Sequence, residues 1–220
     1  MNTIFKKSSK VLFQGDSITD WGRIGGALTE MFPNGGELGT GYAYRAAKIY
    51  ELLFPQNEVT FINRGVSGNR AIDLLNRFEV DFEQVQPDYL SIMIGVNDTW
   101  RRYDSGDLTT AEAFENTYRT ILERFKTACP QAKIMMIEPF LIPSDPEKEI
   151  YWEDLNPKIL AVRKLAAEYA DAYLPMNGIF ANAMIQGLKP TDISEDGVHL
   201  TDIGNAILAN EYLATWAKIQ

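Results

Sequence analysis

One cysteine, one histidine and no long apolar run are the scarcities that first bound this 220-residue chain. With Cys129 alone, neither an internal disulfide nor a cysteine metal cluster can form. In KTACPQ, at the end of a polar helical pattern, that residue reads as an inert thiol. No window reaches the roughly 18 consecutive apolar residues of a transmembrane helix, so no membrane partner is expected. The opening MNTIFKKSSK holds three lysines but no long apolar segment, so no secretory signal is visible and the expected location is cytoplasmic. Cationic residues are scarce as well. Lys and Arg number 21 against 30 Asp and Glu, a net charge of −9, and they form no dense stripe to follow a phosphate backbone. Nucleic acid is therefore a poor partner.

What is present suits a folded α/β protein. Hydrophobic residues make up 45% of the chain and charged residues 23%, enough apolar surface to build a core and too little charge for a wholly disordered chain. No Gly-, Ser- or Pro-rich linker divides two hydrophobic halves, which points to one domain over residues 1–220. Apolar runs at 11–13, 59–62, 89–94 and 133–137 read as buried strands, with 172–175 a weaker fifth. Helical patterns fall between them at about 41–53, 71–85, 110–127 and 147–170, and a last one at about 201–218. Helices of that length carry the chain back across a sheet, so the expected architecture is a largely parallel three-layer α/β/α sandwich.

In such a fold, polar turns that follow strands gather at the carboxyl edge of the sheet. QGDS follows the first strand, NRGVSGNR the second and GVND the third. Two further segments are candidate pocket rims: the glycine-rich stretch between Thr19 and Gly41, with Trp21 and Phe32, and PFLIPSDPEKE at 139–149, whose prolines interrupt regular structure.

Taken singly, Ser17 and Asp16 read as helix-capping or turn residues. The sole histidine changes that. His199 lies in SEDGVHLTDIG with Asp196 three residues before it, close enough in a bent loop to accept an imidazole N–H and aim the other ring nitrogen at a serine. Ser17 would then attack a carbonyl, His199 would take and return the proton, and Asp196 would stabilise the imidazolium. Negative charge developing on the carbonyl oxygen requires donors. The Asn97 side-chain amide, the Gly68 backbone N–H and the Ser17 N–H can supply them. No metal or cofactor is required. Asp16, Asp98 and Asp104 do not define a coordination shell.

The four blocks resemble those of the GDSL, or SGNH, hydrolases: Ser17 in GDS, Gly68 in NRGVSGN, Asn97 in GVND and His199 in DGVHL, with Asp196 at the position of the acid. Ile18 follows GDS in place of leucine. The resemblance covers about residues 10–210. It implies a flavodoxin-like sheet of five parallel strands, ester hydrolysis, and an oxyanion hole of Ser17, Gly68 and Asn97. It also implies that Ser67, beside the donor glycine, is not the nucleophile.

Within that family, SIMIGVNDTWRRYD, GTGYAYRAAKIY and DGVHLTDIG resemble bacterial intracellular acetyl xylan esterases, which implies removal of acetyl groups from xylo-oligosaccharides by enzymes that can be oligomeric. Trp100, Arg101, Arg102 and Tyr103 offer stacking surface and donors for a sugar ring, and Trp21 and Trp152 offer rim contacts. Glu195 stands where that subgroup has a bulky aromatic. The alternatives are a broad acylesterase, thioesterase or lysophospholipase using the same groups, and a noncatalytic carbohydrate-binding protein on the same fold.

Overall fold

The computed structural model describes residues 3–23 and 38–219. Its strands are β1 (Lys10–Gly15), β2 (Thr60–Asn63), β3 (Tyr89–Met93), β4 (Lys133–Ile137) and β5 (Ala172–Leu174). They form one parallel sheet in the order β2-β1-β3-β4-β5, which is the flavodoxin-like order. The helices are α1 (Ser17–Asp20), α2 (Tyr42–Leu53), α3 (Ala71–Asn76), α4 (Val96–Asp104), α5 (Ala111–Ala128), α6 (Trp152–Tyr169), α7 (Met176–Ile185), α8 (Pro190–Ile193) and α9 (Asp202–Ala217).

Strand residues alternate between two cores, as the two-residue period of a pleated strand requires. Val11 and Phe13 of β1, with Met135 and Ile137 of β4, join the core under α2 and α9. Leu12, Leu90, Ile92, Ile134 and Met136 join the core under α3, α5 and the second half of α6. Because both faces are covered, the strands read as continuous apolar runs in the sequence. The long helices begin where side chains satisfy their free N–H groups. Thr110 Oγ1 accepts from the Ala113 N–H at the start of α5, and Thr201 Oγ1 accepts from the Gly204 N–H at the start of α9.

The helix α7 (Met176–Ile185) was not expected, and three other elements differ from expectation. The helix expected over 71–85 stops at Asn76 and resumes as a π-helical turn, Glu79–Glu83. The break falls at Arg77, whose guanidinium pairs with Asp81 and donates to Arg64 O at 3.0 Å and Asn69 Oδ1 at 2.9 Å. The pattern over 147–170 begins as a 3-10 segment, Pro146–Tyr151, before α6. GVND, expected as a polar turn after β3, instead opens the helix α4, Val96–Asp104.

Phe125 is fully buried in the core beneath α5, edge-on to Phe82 at 5.8 Å. Phe125→Ala removes most of that side chain, so denaturant unfolding should show a loss of about 3–5 kcal/mol. A loss below about 1 kcal/mol would mean that this site collapses around the void.

Candidate active site

The chain leaves β1 at Gly15 and enters α1 directly. Asp16 caps this single turn: its Oδ1 accepts from the Ile18 N–H at 3.0 Å, and its carbonyl accepts from the Thr19 and Asp20 N–H groups at 3.1 and 2.9 Å. Ser17 is thereby held at the carboxyl edge of the sheet with its hydroxyl facing a residue 182 positions away, Oγ lying 2.9 Å from His199 Nε2. His199 Nδ1 lies 2.7 Å from Asp196 Oδ2. The other carboxylate oxygen, Oδ1, accepts from the backbone N–H groups of Val198 and His199 at 2.9 and 2.7 Å, and from the Ser194 hydroxyl at 3.2 Å. Partial burial acts against the Asp196 carboxylate, yet the His199 ring and these backbone donors outweigh it and hold its pKa well below the usual carboxylate range. An ionised Asp196 fixes the Nδ1–H tautomer and leaves the Nε2 lone pair for the serine proton.

Gly68 and Asn97 meet Ser17 and His199 in one cavity of about 500 Å³, also lined by Trp21, Gly22, Ser67, Trp100, Arg101 and Asp104. Gly68 has φ +82°, a left-handed conformation that a side chain would strain. Asn97 lies in the first turn of α4 and is buried. One of its amide hydrogens bonds Asn69 O at 3.1 Å, and the second remains a potential donor.

The matching family model is the GDSL-like lipase/acylhydrolase family, over residues 13–207. The chain belongs to this family. It is 32% identical over 206 residues to an acetylxylan esterase from Geobacillus stearothermophilus, covering 93% of this chain and 92% of that one. The crystal structure of the acetylxylan esterase Axe2 from the same organism superposes with a TM-score of 0.82 at 30% identity, covering 95% of this chain and 94% of the other. Serine and histidine variants of that enzyme are described as catalytic mutants. A putative GDSL-like lipase from Parabacteroides merdae superposes with a TM-score of 0.88 at 31% identity over 100% of both chains. These relationships make this GDSL-family chain a carboxylic ester hydrolase.

Reading 96–104 as a helix sorts the aromatic and basic residues that follow Asn97. Positions 97, 100, 101 and 104 recur at i, i+3, i+4 and i+7 and share one face, which is the face that lines the cavity. Trp100 and Arg101 therefore reach the site, and so does Asp104, which pairs with Arg101 and was weighed from the sequence only as a metal ligand. Arg102 and Tyr103, expected to bind substrate, are not among the lining residues. Arg102 donates to Asp154 at 3.0 Å, while Tyr103 stacks on Tyr151 at 4.4 Å and donates its hydroxyl to Ile150 O. Trp152, expected at the rim, packs partly buried against the core. Of the glycine-rich stretch, Trp21 and Gly22 line the cavity, while Gly25, Gly26, Phe32, Gly35 and Gly36 lie outside the described residues. The 139–149 segment contributes less directly. Its Lys148 ammonium sits 4.9 Å above the Trp100 ring, and its Ile142 N–H donates to Gly197 O at 2.8 Å, bracing the histidine loop.

Trp21 stacks on His199 with ring centroids 5.5 Å apart, and Trp100 meets it at 6.0 Å. A neighbouring recess of about 430 Å³ is lined by Trp21, Glu195, Asp196, His199, Leu200 and Thr201. No helix among the described residues is long and apolar enough to cross a membrane. No group of three or more His, Cys, Asp or Glu among them could hold a metal ion.

Two more acids lie beneath the site. Asp16 is buried with Oδ2 unpartnered among the described residues, and burial pushes its pKa up to about 7. Asp98 is buried beside Asn97, with Oδ2 accepting from the Ala71 N–H at 3.1 Å, and burial pushes it up to about 6. A raised pKa means that the folded state holds these protons more tightly than the unfolded chain. Their contribution to stability is full below the ordinary value of 3.8 and is lost as pH rises through about 6 to 7. Asp16→Asn should flatten the fall of thermal midpoint between pH 5 and 8. An unchanged slope would show that Asp16 is already ionised in the folded protein at pH 5.

Proposed function

We propose that this chain is a serine esterase that removes acetyl groups from acetylated xylo-oligosaccharides through an acyl-enzyme. The observation that carries the reading is the unbroken relay from Ser17 Oγ through His199 to Asp196, opening on the same cavity as Gly68 and Asn97. His199 Nε2 takes the Ser17 proton as Oγ attacks the acetyl carbonyl. The N–H groups of Ser17 and Gly68 and the Asn97 amide stabilise the oxyanion. The intermediate collapses with loss of the sugar alkoxide, which His199 protonates. Water, deprotonated by His199, then attacks the acetyl ester of Ser17, and collapse releases acetate and restores the serine.

The walls of the cavity support a sugar-ester substrate. Trp21 and Trp100 present ring surface beside the histidine, and Arg101 with Asp104 supplies a donor and an acceptor, a set suited to a neutral hydroxylated ring. The sequence relationship to an acetylxylan esterase supports the same class. A broader acylesterase activity is favoured by one observation, the shallow recess flanked by Glu195, which leaves room beside His199 for other leaving groups. A purely sugar-binding role gives no reason for an activated serine.

Acetate release from defined acetylated xylo-oligosaccharides, with longer-chain p-nitrophenyl esters as comparators, tests both levels. Ser17→Ala and His199→Ala should abolish nearly all turnover while keeping the fold. Asn97→Ala should lower kcat by about 10²–10³-fold if its amide is one oxyanion donor. Substantial turnover in folded S17A would sink the mechanism. Ser17-dependent cleavage of other esters with poor sugar turnover would keep the mechanism and move the substrate.

A further inference from the structure

Asp20 ends the single turn that Ser17 begins, and its carboxylate is spent on the neighbouring loop. Asp20 Oδ2 accepts from both the Ser67 N–H at 3.0 Å and the Ser67 hydroxyl at 2.7 Å, and Ser67 immediately precedes Gly68. Asp20 Oδ1 accepts from Arg23 Nε at 3.0 Å, and the same guanidinium donates through Nη2 to Gly65 O at 2.7 Å. Both side chains are largely buried, Arg23 at 4% and Asp20 at 15% exposure, so the pair is shielded from solvent competition. The loop also rests directly against the end of α1: a Cβ at Gly65 would lie 2.5 Å from the Asp20 nitrogen.

We propose that Asp20, locked by Arg23, is a positioning residue that sets the Gly68 amide relative to Ser17. The role rests on the esterase reading of Ser17. One helical turn, Ser17 to Asp20, carries the nucleophile at its first residue and grips the Ser67–Gly68 segment from its last, so the spacing of two oxyanion donors is a property of that turn. Asn63 makes a second link, its amide donating to Thr19 O at 2.6 Å while its Oδ1 accepts from the Gly65 N–H at 2.9 Å, but it grips the loop three residues before Gly68, whereas Asp20 grips the residue immediately before it. The Val66 N–H donates to Gly15 O at 3.1 Å, and Arg77 donates to Arg64 O and Asn69 Oδ1. Oxyanion stabilisation depends on donors placed before the charge develops, and small misplacements reduce the rate strongly. Breaking the Asp20 contact should therefore slow chemistry more than binding.

The test uses the full chain, p-nitrophenyl acetate hydrolysis and amide hydrogen exchange, on wild type, S17A, D20A, D20N and S67A. In D20A, kcat should fall by about 10–100-fold with KM within about twofold, since a displaced donor costs less than or as much as a deleted one. Exchange of the Ser67 amide should accelerate by about tenfold or more while α9 amides keep their protection, a local opening rather than a global one. D20N retains one acceptor oxygen and should show a smaller fall. S67A loses only the hydroxyl bond and should fall least. Affinity for a boronic acid, which forms a tetrahedral adduct on serine, should weaken in parallel with kcat/KM. Should D20A fail to fold, the D20N and S67A pair reads the same ordering. Wild-type kcat in D20A, or a lowered kcat with Ser67 exchange unaltered, would overturn the positioning role. Turnover retained in S17A would sink the esterase reading and this role with it, whereas turnover lost in S17A but intact in D20A would sink the brace alone.

Discussion

The site depends on the parallel register of β1 between its two neighbours. Phe13 lies opposite Asn63 of β2, and Gly15 lies opposite Met93 of β3, so three strands end within a few residues of one another at the same edge. The GDS turn, the Gly68 loop and the start of α4 must then emerge side by side. A slip of one residue in β1 would turn Val11 and Phe13 toward the core now filled by Leu12 and its neighbours, and both faces are fully buried. The sheet thus fixes the relative height of Ser17, Gly68 and Asn97, the proposed nucleophile and oxyanion donors. The fourth block arrives by a different route: α9 packs against α2 and β5 and carries the histidine loop back over Ser17.

On that frame the acids divide into two kinds according to what surrounds each carboxyl. Asp196 has four hydrogen-bond donors and stays ionised, which keeps negative charge behind the imidazole where the proposed mechanism forms an imidazolium. Asp16 and Asp98, buried with fewer donors, are pushed toward the neutral form. The same division of environments, one carboxyl held charged and others shifted up toward neutral pH, is how a single fold separates electrostatic behaviour among identical groups.

Much of this was legible in the sequence because it is local or periodic. Strand positions follow from apolar runs covered on both faces, and the four polar blocks follow from strand ends. The cavity walls were only half legible. Trp100 and Arg101 were singled out with Arg102 and Tyr103 as one aromatic and basic cluster, since a charged stretch after a strand reads as a turn. Only the helical phase of α4 divides the pairs, and tertiary packing establishes that phase: Arg102 toward Asp154, Tyr103 onto Tyr151. The break at Arg77 has the same origin, because its partners Arg64 and Asn69 are brought to it by the fold. Asp20 escaped notice for a simpler reason. An acid in the first turn of a helix has a sufficient local explanation in the helix dipole, and nothing in the sequence announces a bond to Ser67.

The surroundings of His199 explain why its two nitrogens have separate tasks. Trp21 and Trp100 pack near the ring. Apolar rings accept no proton, so the imidazole's polar contacts run along its edge, Nδ1 to Asp196 and Nε2 to Ser17. Each nitrogen then has one partner, and in the proposed mechanism a proton taken from Ser17 is best returned to whatever occupies the Ser17 side of the ring, first the leaving alkoxide and later the serine itself. The loop beneath the ring resists rotation for independent reasons, since Ser194 and Leu200 form an antiparallel bridge across it and Ile142 bonds Gly197. An imidazole so held loses little further orientational freedom on reaching the transition state, and this is the part of the barrier that a preorganised site removes before substrate arrives.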